Sequence, residues 1–306
     1  MFCAILATFP LYAGHMPGFL WGVQLDLAQT VTEHVYGLES IIGIPMQVVA
    51  DTLVGFIVFG VILANTGGGN FFMDFASSVL GKTRGGPAKV AILSSGLFGM
   101  LSGSPTSNVM TTGTITIPTM KRCGYPASYA GAVEACASTG GSLMPPVMGA
   151  AAFIMASFLN VPYADVIVAA FLPAVLYYFA LMLQTDCYAA RHKLVGLDVT
   201  DVPPLSQTLR TGWHYVAALV ILTLMLLVWR TEAAAPFWVA LLLIGFAILN
   251  RRRTGFDWRA MCQLTVDVGQ GLAQLVCLSA GIGLILGAMS ITGVAKSLSR
   301  ELVQYA

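Results

Sequence analysis

Between Lys89 and Lys121 the chain runs for 31 residues without a charge, yet the centre of that run, Leu101-Ser-Gly-Ser-Pro-Thr-Ser-Asn108, is polar and holds a glycine and a proline. A helix of that length can cross a bilayer, which takes about 20 apolar residues. The polar centre cannot face lipid, because backbone groups freed at a break would find no partner there. Two half-helices meeting at a tip buried in protein satisfy both conditions. Each half of about 13 residues would measure about 20 Å at 1.5 Å per residue, enough to pass the midplane but not to cross. The reading is a re-entrant hairpin over residues 88–120, whose two ends must lie on one side of the membrane. Both ends are basic, with Lys82, Arg84 and Lys89 at one and Lys121 and Arg122 at the other. The positive-inside rule places both in the cytoplasm.

Only 9% of the residues are charged, against about 25% in a soluble domain. That excludes a soluble, disordered or coiled-coil chain, and the ten-residue alternation of a membrane β-barrel is absent. The expectation is an all-α polytopic membrane protein with the lipid bilayer as its surroundings. Nothing in a net charge of +1 points to nucleic acid. Six scattered cysteines, none in a C-x-x-C pair, support neither a metal cluster nor a disulfide framework.

Residues 1–13 read as a short apolar piece and 19–40 as an interfacial helix. A first span is predicted from Ile44 to Asn65, followed by an amphipathic helix from Asn70 to Leu80. Residues 126–159 read as a spanning helix broken at Ser138-Thr139-Gly140-Gly141-Ser142 and Pro145-Pro146. A Gly-Gly stops one helix, and a Pro-Pro suits only the first turn of the next. Further spans follow at 163–188, 213–229, 236–250 and 263–289, with a basic Arg251-Arg252-Arg253 inside. This path leaves 12 of the 15 Lys and Arg residues in the cytoplasm and only Arg230, Lys296 and Arg300 outside, an asymmetry independent of the residues that place the breaks.

Gly60-Val-Ile-Leu-Ala-Asn-Thr-Gly67 ends the first span going inward, and Gly287-Ala-Met-Ser-Ile-Thr-Gly293 ends the last going outward; an amphipathic helix follows each. One unit in two orientations is the signature of inverted-repeat transporters. The expected domains are 1–43 as the end of a scaffold region and 44–190 as a first repeat. Linker and scaffold helices then occupy 191–258, and 259–306 begin a second repeat whose hairpin would lie beyond Ala306.

The two broken segments carry the chemistry. Hydroxyls and unwound carbonyls near the midplane suit a dehydrated Na⁺, and half-helix N-termini suit a carboxylate. The plainer reading is Ser/Gly packing and kinking, common in membrane helices. Glu134, inside the broken helix, is open to three roles: a cation site, a proton site, or an ion pair with Lys121 or Arg122. Ala76-Ser-Ser-Val-Leu-Gly-Lys-Thr83 nearly matches a phosphate loop, but an amphipathic helix precedes it where a strand is required. The four histidines fall in loops or at span ends, so Ser104 and Ser107 have no base and an enzyme is not expected. An ion channel is the other class left, and it requires neither a hairpin nor opposed repeats.

These residues resemble the large, DctM-like permease subunit of tripartite ATP-independent periplasmic (TRAP) transporters. The resemblance runs from about Gly43 to Tyr188. It rests on the Ser-Gly-Ser hairpin, Thr114-Ile-Thr-Ile-Pro118-x-Met120-Lys, Gly131-Ala-Val-Glu134, Ser138-Thr-Gly-Gly and Met144-Pro-Pro-x-Met-Gly149. The last blocks look most like the fused-permease branch, in which the small subunit is joined N-terminally and the binding protein is of the TAXI type. The resemblance departs at Ser142, where an amide is expected, and in the absence of a second hairpin from 1–306. It implies an elevator-type, Na⁺-driven importer in a bacterial inner membrane. A periplasmic binding protein would deliver a carboxylate such as a C4-dicarboxylate, glutamate or 2-oxoglutarate. It implies Na⁺ as coupling ion with no other cofactor, and another inverted-repeat carboxylate symporter as the nearest alternative. The sodium and substrate site would draw on Ser102, Gly103, Ser104, Thr106, Ser107 and Asn108 of the hairpin. Glu134, Thr139, Gly140, Gly141, Ser142, Pro145 and Pro146 of the broken helix would complete it.

Overall fold

A computed structural model describes residues 2–197, 202–249 and 258–305, whose regular elements are all helices, with no strand among them. Four helices are long and apolar enough to cross a membrane: Ile44–Asn65 (α3), Tyr163–Arg191 (α9), Leu205–Trp229 (α10) and Met261–Ile291, part of a helix that starts at Trp258 (α12). On α9 the side chains of Val168, Phe171, Leu172, Leu176 and Phe179 are all exposed. Large apolar residues on an open face are what a lipid-facing helix presents.

The chain divides into two compact units. The first holds residues 1–54 and 269–306. Within it, helix α1 (Phe2–Ala7) leads through short 3₁₀ turns to α2 (Leu27–Tyr36), which covers less of 19–40 than expected. Asp26 starts α2 because its carboxylate accepts the Ala28 amide at 2.6 Å while Gln29 reaches back to the Asp26 amide, a capping box. His34 of α2 is buried between the Ser40 hydroxyl, 2.6 Å from Nδ1, and the Ala7 carbonyl, 2.8 Å from Nε2. Ser40 lies against Gly283 and Gly287, where a Cβ would come within 2.4 Å of its carbonyl oxygen and 2.5 Å of its Cβ, respectively. Val294–Tyr305 (α13) ends the unit.

The second unit spans residues 55–268. After α3, Gly67 turns at φ +101°, a left-handed conformation that suits glycine, and Gly68–Leu80 (α4) follows. Gly212, where α10 kinks, lets the helix close on the Phe71 ring. Next come Gly86–Ser102 (α5), Pro105–Arg122 (α6), Ala127–Gly141 (α7) and Ala150–Leu159 (α8). Helices α5, α6 and α7 pack mutually, around a core that includes Ala88, Ile92, Met120, Tyr125 and Val133. At the base of this cluster Asp186 of α9 accepts from Lys89 at 2.6 Å and from Arg84.

Two expectations are adjusted. Arms α5 and α6 have 17 and 18 residues, because they run past the basic residues to glycine-rich turns at Gly85 and Gly124, both at positive φ. The helix expected over 236–250 is Ala235–Leu249 (α11), whose 15 residues rise about 22 Å, less than a hydrocarbon core of about 30 Å. The run Arg251-Arg252-Arg253 lies outside the described residues.

Candidate functional site

The break between α5 and α6 is two residues wide. Gly103 ends α5 at φ +60° with its amide on the Gly99 carbonyl at 3.0 Å. Ser104 starts α6 by accepting the Ser107 amide on Oγ at 3.4 Å, with Pro105 in the first turn. Asn108 donates across to the Ser95 carbonyl at 2.8 Å, and Ser95 and Thr112 hydroxyls lie 3.0 Å apart, so the arms run antiparallel.

The second break is wider. Helix α7 ends at Gly141, residues 142–149 are unwound, and Gly149 starts α8 after its amide returns to the Ser142 carbonyl at 2.9 Å. The peptide Pro145–Pro146 is cis. Tyr163 holds this segment from outside: its hydroxyl donates to the Pro146 carbonyl at 3.1 Å and lies against that of Val147. The ring is stacked on Phe153 with centroids 3.9 Å apart. Glu232, in the turn before α11, accepts the Tyr163 amide at 2.8 Å. Burial raises the Glu232 carboxyl above its ordinary range, opposed by the Tyr163 and Ala164 amides and by Arg230.

The fold brings the two breaks together. A Cβ on Gly103 would lie 3.0 Å from the Met148 carbonyl oxygen and 3.4 Å from the Gly149 Cα. One Cβ on Gly141 would lie 2.5 Å from the Gly99 Cα. The carbonyl ends of α5 and α7 therefore meet each other, and the amide ends of α6 and α8 start beside them. Carbonyl ends carry partial negative charge and amide ends partial positive charge, so one small volume faces both signs of ligand. Around it Ser102, Gly103, Ser104, Ser142 and Pro145 are partly exposed, and Thr106, Ser107 and Thr139 are exposed. Gly140, Gly141 and Pro146 are buried in the packing behind them.

Asn108 and Glu134 lie deeper, each fully buried. Glu134 accepts from Ser95 Oγ at 2.6 Å and Thr112 Oγ1 at 2.5 Å on Oε1, and from Thr116 Oγ1 at 2.6 Å on Oε2. Ser138 Oγ is a weaker fourth donor at 3.3 Å. The ion pair with Lys121 or Arg122 that the sequence left open is not formed. Lys121 lies nine residues beyond Thr112, about 14 Å along the helix, and Arg122 donates to Thr119 Oγ1 at 3.3 Å. Ser95, Thr112, Thr116 and Tyr163 went unnamed in the sequence reading. Of these, Thr112 and Thr116 had a signal, since Asn108, Thr112, Thr116 and Met120 recur every four residues on the buried face of α6.

A family model described as tripartite ATP-independent periplasmic transporter, DctM component, matches residues 1–306. The chain belongs to this family. An uncharacterized Sinorhizobium fredii protein, y4mL, is 27% identical over 76% of this chain and 55% of its own length. The C4-dicarboxylate TRAP transporter large permease protein DctM of Pseudomonas aeruginosa is 29% identical over 55% of this chain and 39% of its own. The sialic acid TRAP transporter permease protein SiaT of Haemophilus influenzae is 35% identical over 48% of this chain and 23% of its own. The chain thus spans about half, or less, of the length of these relatives. Membership of a transporter family, with four helices able to span, makes this a multi-pass membrane protein of the TRAP permease type.

Proposed function

We propose that this chain forms part of the permease of a Na⁺-driven secondary importer for small carboxylates in a bacterial inner membrane. In this reading the tip Ser102-Gly103-Ser104 and the unwound segment 142–149 together form one wall of the sodium and substrate site. Residues 44–190 act as one repeat of an elevator, with α5 and α6 as a re-entrant hairpin, and 259–306 open the second. The observation that carries it is the apposition of the two breaks, which places carbonyl ends for a cation and amide ends for an anion side by side. The relatives' named substrates, C4-dicarboxylates and sialic acid, are both carboxylates. A periplasmic binding protein, of the TAXI type by the motif resemblance, would deliver the substrate, and a small subunit would be fused ahead of this chain. The test is uptake of labelled dicarboxylate or 2-oxoglutarate into proteoliposomes holding the full permease with its binding protein. Uptake should need an inward Na⁺ gradient and no ATP. Uptake that persists with the gradient collapsed, or that needs ATP, contradicts the reading.

A further inference from the structure

Four hydroxyls from three helices close around the Glu134 carboxyl, which no Lys or Arg meets among the described residues. A charged group buried without a counter-charge is costly and is commonly part of function when it lies inside a membrane protein. The spacing of the oxygens decides what the cage can hold. A small divalent cation with octahedral bonds of about 2.0–2.1 Å holds neighbouring ligand oxygens about 2.9 Å apart, and a larger ion at about 2.3–2.6 Å holds them farther apart. Three contacts to Glu134 measure only 2.5–2.6 Å. These oxygens sit closer together than ligands spread around a cation, and 2.5–2.6 Å is the length of a hydroxyl–carboxylate hydrogen bond.

The cage also has a place for an added proton. With the carboxylate charged, Ser95, Thr112 and Ser138 give their hydroxyl protons to Oε1 and Thr116 gives its own to Oε2. A hydroxyl has one donor and rotates to suit, and it can accept as well. Both threonines have a second acceptor in reach: Thr116 Oγ1 is 3.1 Å from the Thr112 carbonyl, and Thr112 Oγ1 is 2.8 Å from that of Asn108. A proton arriving at Oε2 is therefore accommodated by a single rotation. Glu134 then donates to Thr116 Oγ1, and Thr116 turns its proton to the Thr112 carbonyl. No hydrogen bond is lost in either state.

The other titratable groups on the elements packed against Glu134 are engaged or lie at the ends. On α5, Lys89 is bonded to Asp186 of α9. On α9, the Tyr177 and Tyr178 hydroxyls donate to the Cys136 and Ala137 carbonyls, and Tyr188 stacks on Tyr129 of α7. Cys136, Cys187, Arg191, Lys121 and Arg122 are exposed.

We infer that Glu134, caged by Ser95, Thr112, Thr116 and Ser138, is a proton-binding site of this permease and not a ligand of its coupling cation. Thr112 lies two turns along α6 from the hairpin tip, about 12 Å at 1.5 Å per residue. Its hydroxyl also touches Asn108, the residue that ties the two arms beneath the tip. Gain or loss of the Glu134 proton thus bears on how the hairpin is held against α7. The inference rests on the transporter reading only for its uptake assay.

The experiment pairs uptake by the full permease with infrared difference spectra of the purified protein across pH. Wild-type Na⁺-driven uptake should change along a one-proton limb, about tenfold per pH unit, and the spectra should contain one buried carboxyl band that follows it. Glu134→Gln, a fixed neutral mimic, should hold uptake at one plateau at every pH and abolish the band. A rise of about tenfold or more in the Na⁺ needed for half-maximal uptake, with the pH limb intact, would make Glu134 a cation ligand and overturn the inference. A band that survives Glu134→Gln would overturn it too. If that variant does not fold, Thr116→Val, which removes the partner of Oε2, should shift the band in pH; an unshifted band is the contrary result. Should wild type show no Na⁺-driven uptake, the transporter reading fails while the spectra still decide the proton site.

Discussion

Adding one methyl group at Gly141 should separate the two breaks that the proposed site depends on. A Cβ there would lie 2.5 Å from the Gly99 Cα, 2.8 Å from its carbonyl carbon and 3.3 Å from the Met100 amide nitrogen. Carbon atoms settle at about 3.5–4.0 Å, so α5 and α7 must part by about 1 Å. The obstruction is backbone, which no rotamer change relieves, and overpacking of this kind costs about 1–3 kcal/mol. Gly131 on the same helix is the control, because a Cβ there meets nothing within 4 Å. Gly131→Ala should be neutral or stabilising by up to about 1 kcal/mol through helix propensity. The two variants share chemistry and helix, so their difference isolates the contact. Thermal unfolding in detergent should place Gly141→Ala below Gly131→Ala. A displacement of about 1 Å at a reacting or binding site can cost on the order of 100-fold in rate, so uptake by the full permease should collapse in the first variant and survive in the second. Equal stability and equal uptake for the pair would refute the apposition of Gly99 and Gly141 as the fulcrum of the site.

Tyr163→Phe should lower stability by about 1–3 kcal/mol, because it leaves the Pro146 and Val147 carbonyls without their buried donor while keeping the ring on Phe153; unchanged thermal unfolding would count against that clasp. Since burial lifts the Glu232 carboxyl above its unfolded value, the stability it contributes is present at low pH and is lost as pH rises through the folded value. Glu232→Gln should therefore flatten the dependence of unfolding temperature on pH from the ordinary glutamate range upward, and an unaltered profile would contradict this. Single cysteines at the exposed positions Lys82 and Lys121 should label from the cytoplasm and one at Asn160 from the periplasm. Opposite labelling of 82 and 121 would rule out the re-entrant hairpin.

The breaks were legible in the sequence because their causes are local. Gly103 supplies the positive φ that ends α5, Ser104 caps α6 and Pro105 fits its first turn, all within three residues. Gly141 likewise ends α7, but Pro145-Pro146 fall inside the unwound segment and not, as expected, in the first turn of α8, which starts after Gly149. The arm lengths were misread because Lys89 and Lys121 looked like membrane-edge residues. Lys89 is instead inside a helix, held by an acid 97 positions later, a contact that no local pattern announces. The Glu134 cage was half legible: the four-residue spacing of Asn108, Thr112 and Thr116 lies on one helix, but Ser95 and Glu134 reach it from two others. Tyr163 was invisible for the same reason, since its bonds to Pro146 and Val147 depend on how α9 packs beside the broken helix.

The central claim is that the hairpin tip and the unwound segment form one sodium site. A double-mutant cycle on the Na⁺ concentration giving half-maximal uptake, with Ser104→Ala, Ser142→Ala and both together in the full permease, measures this directly. If the two hydroxyl-bearing residues serve one site, each change should raise that concentration, and the double variant should depart from additivity by about 0.5 kcal/mol or more. Additive effects, or no change in Na⁺ dependence from either substitution, would show that the two breaks do not share an ion.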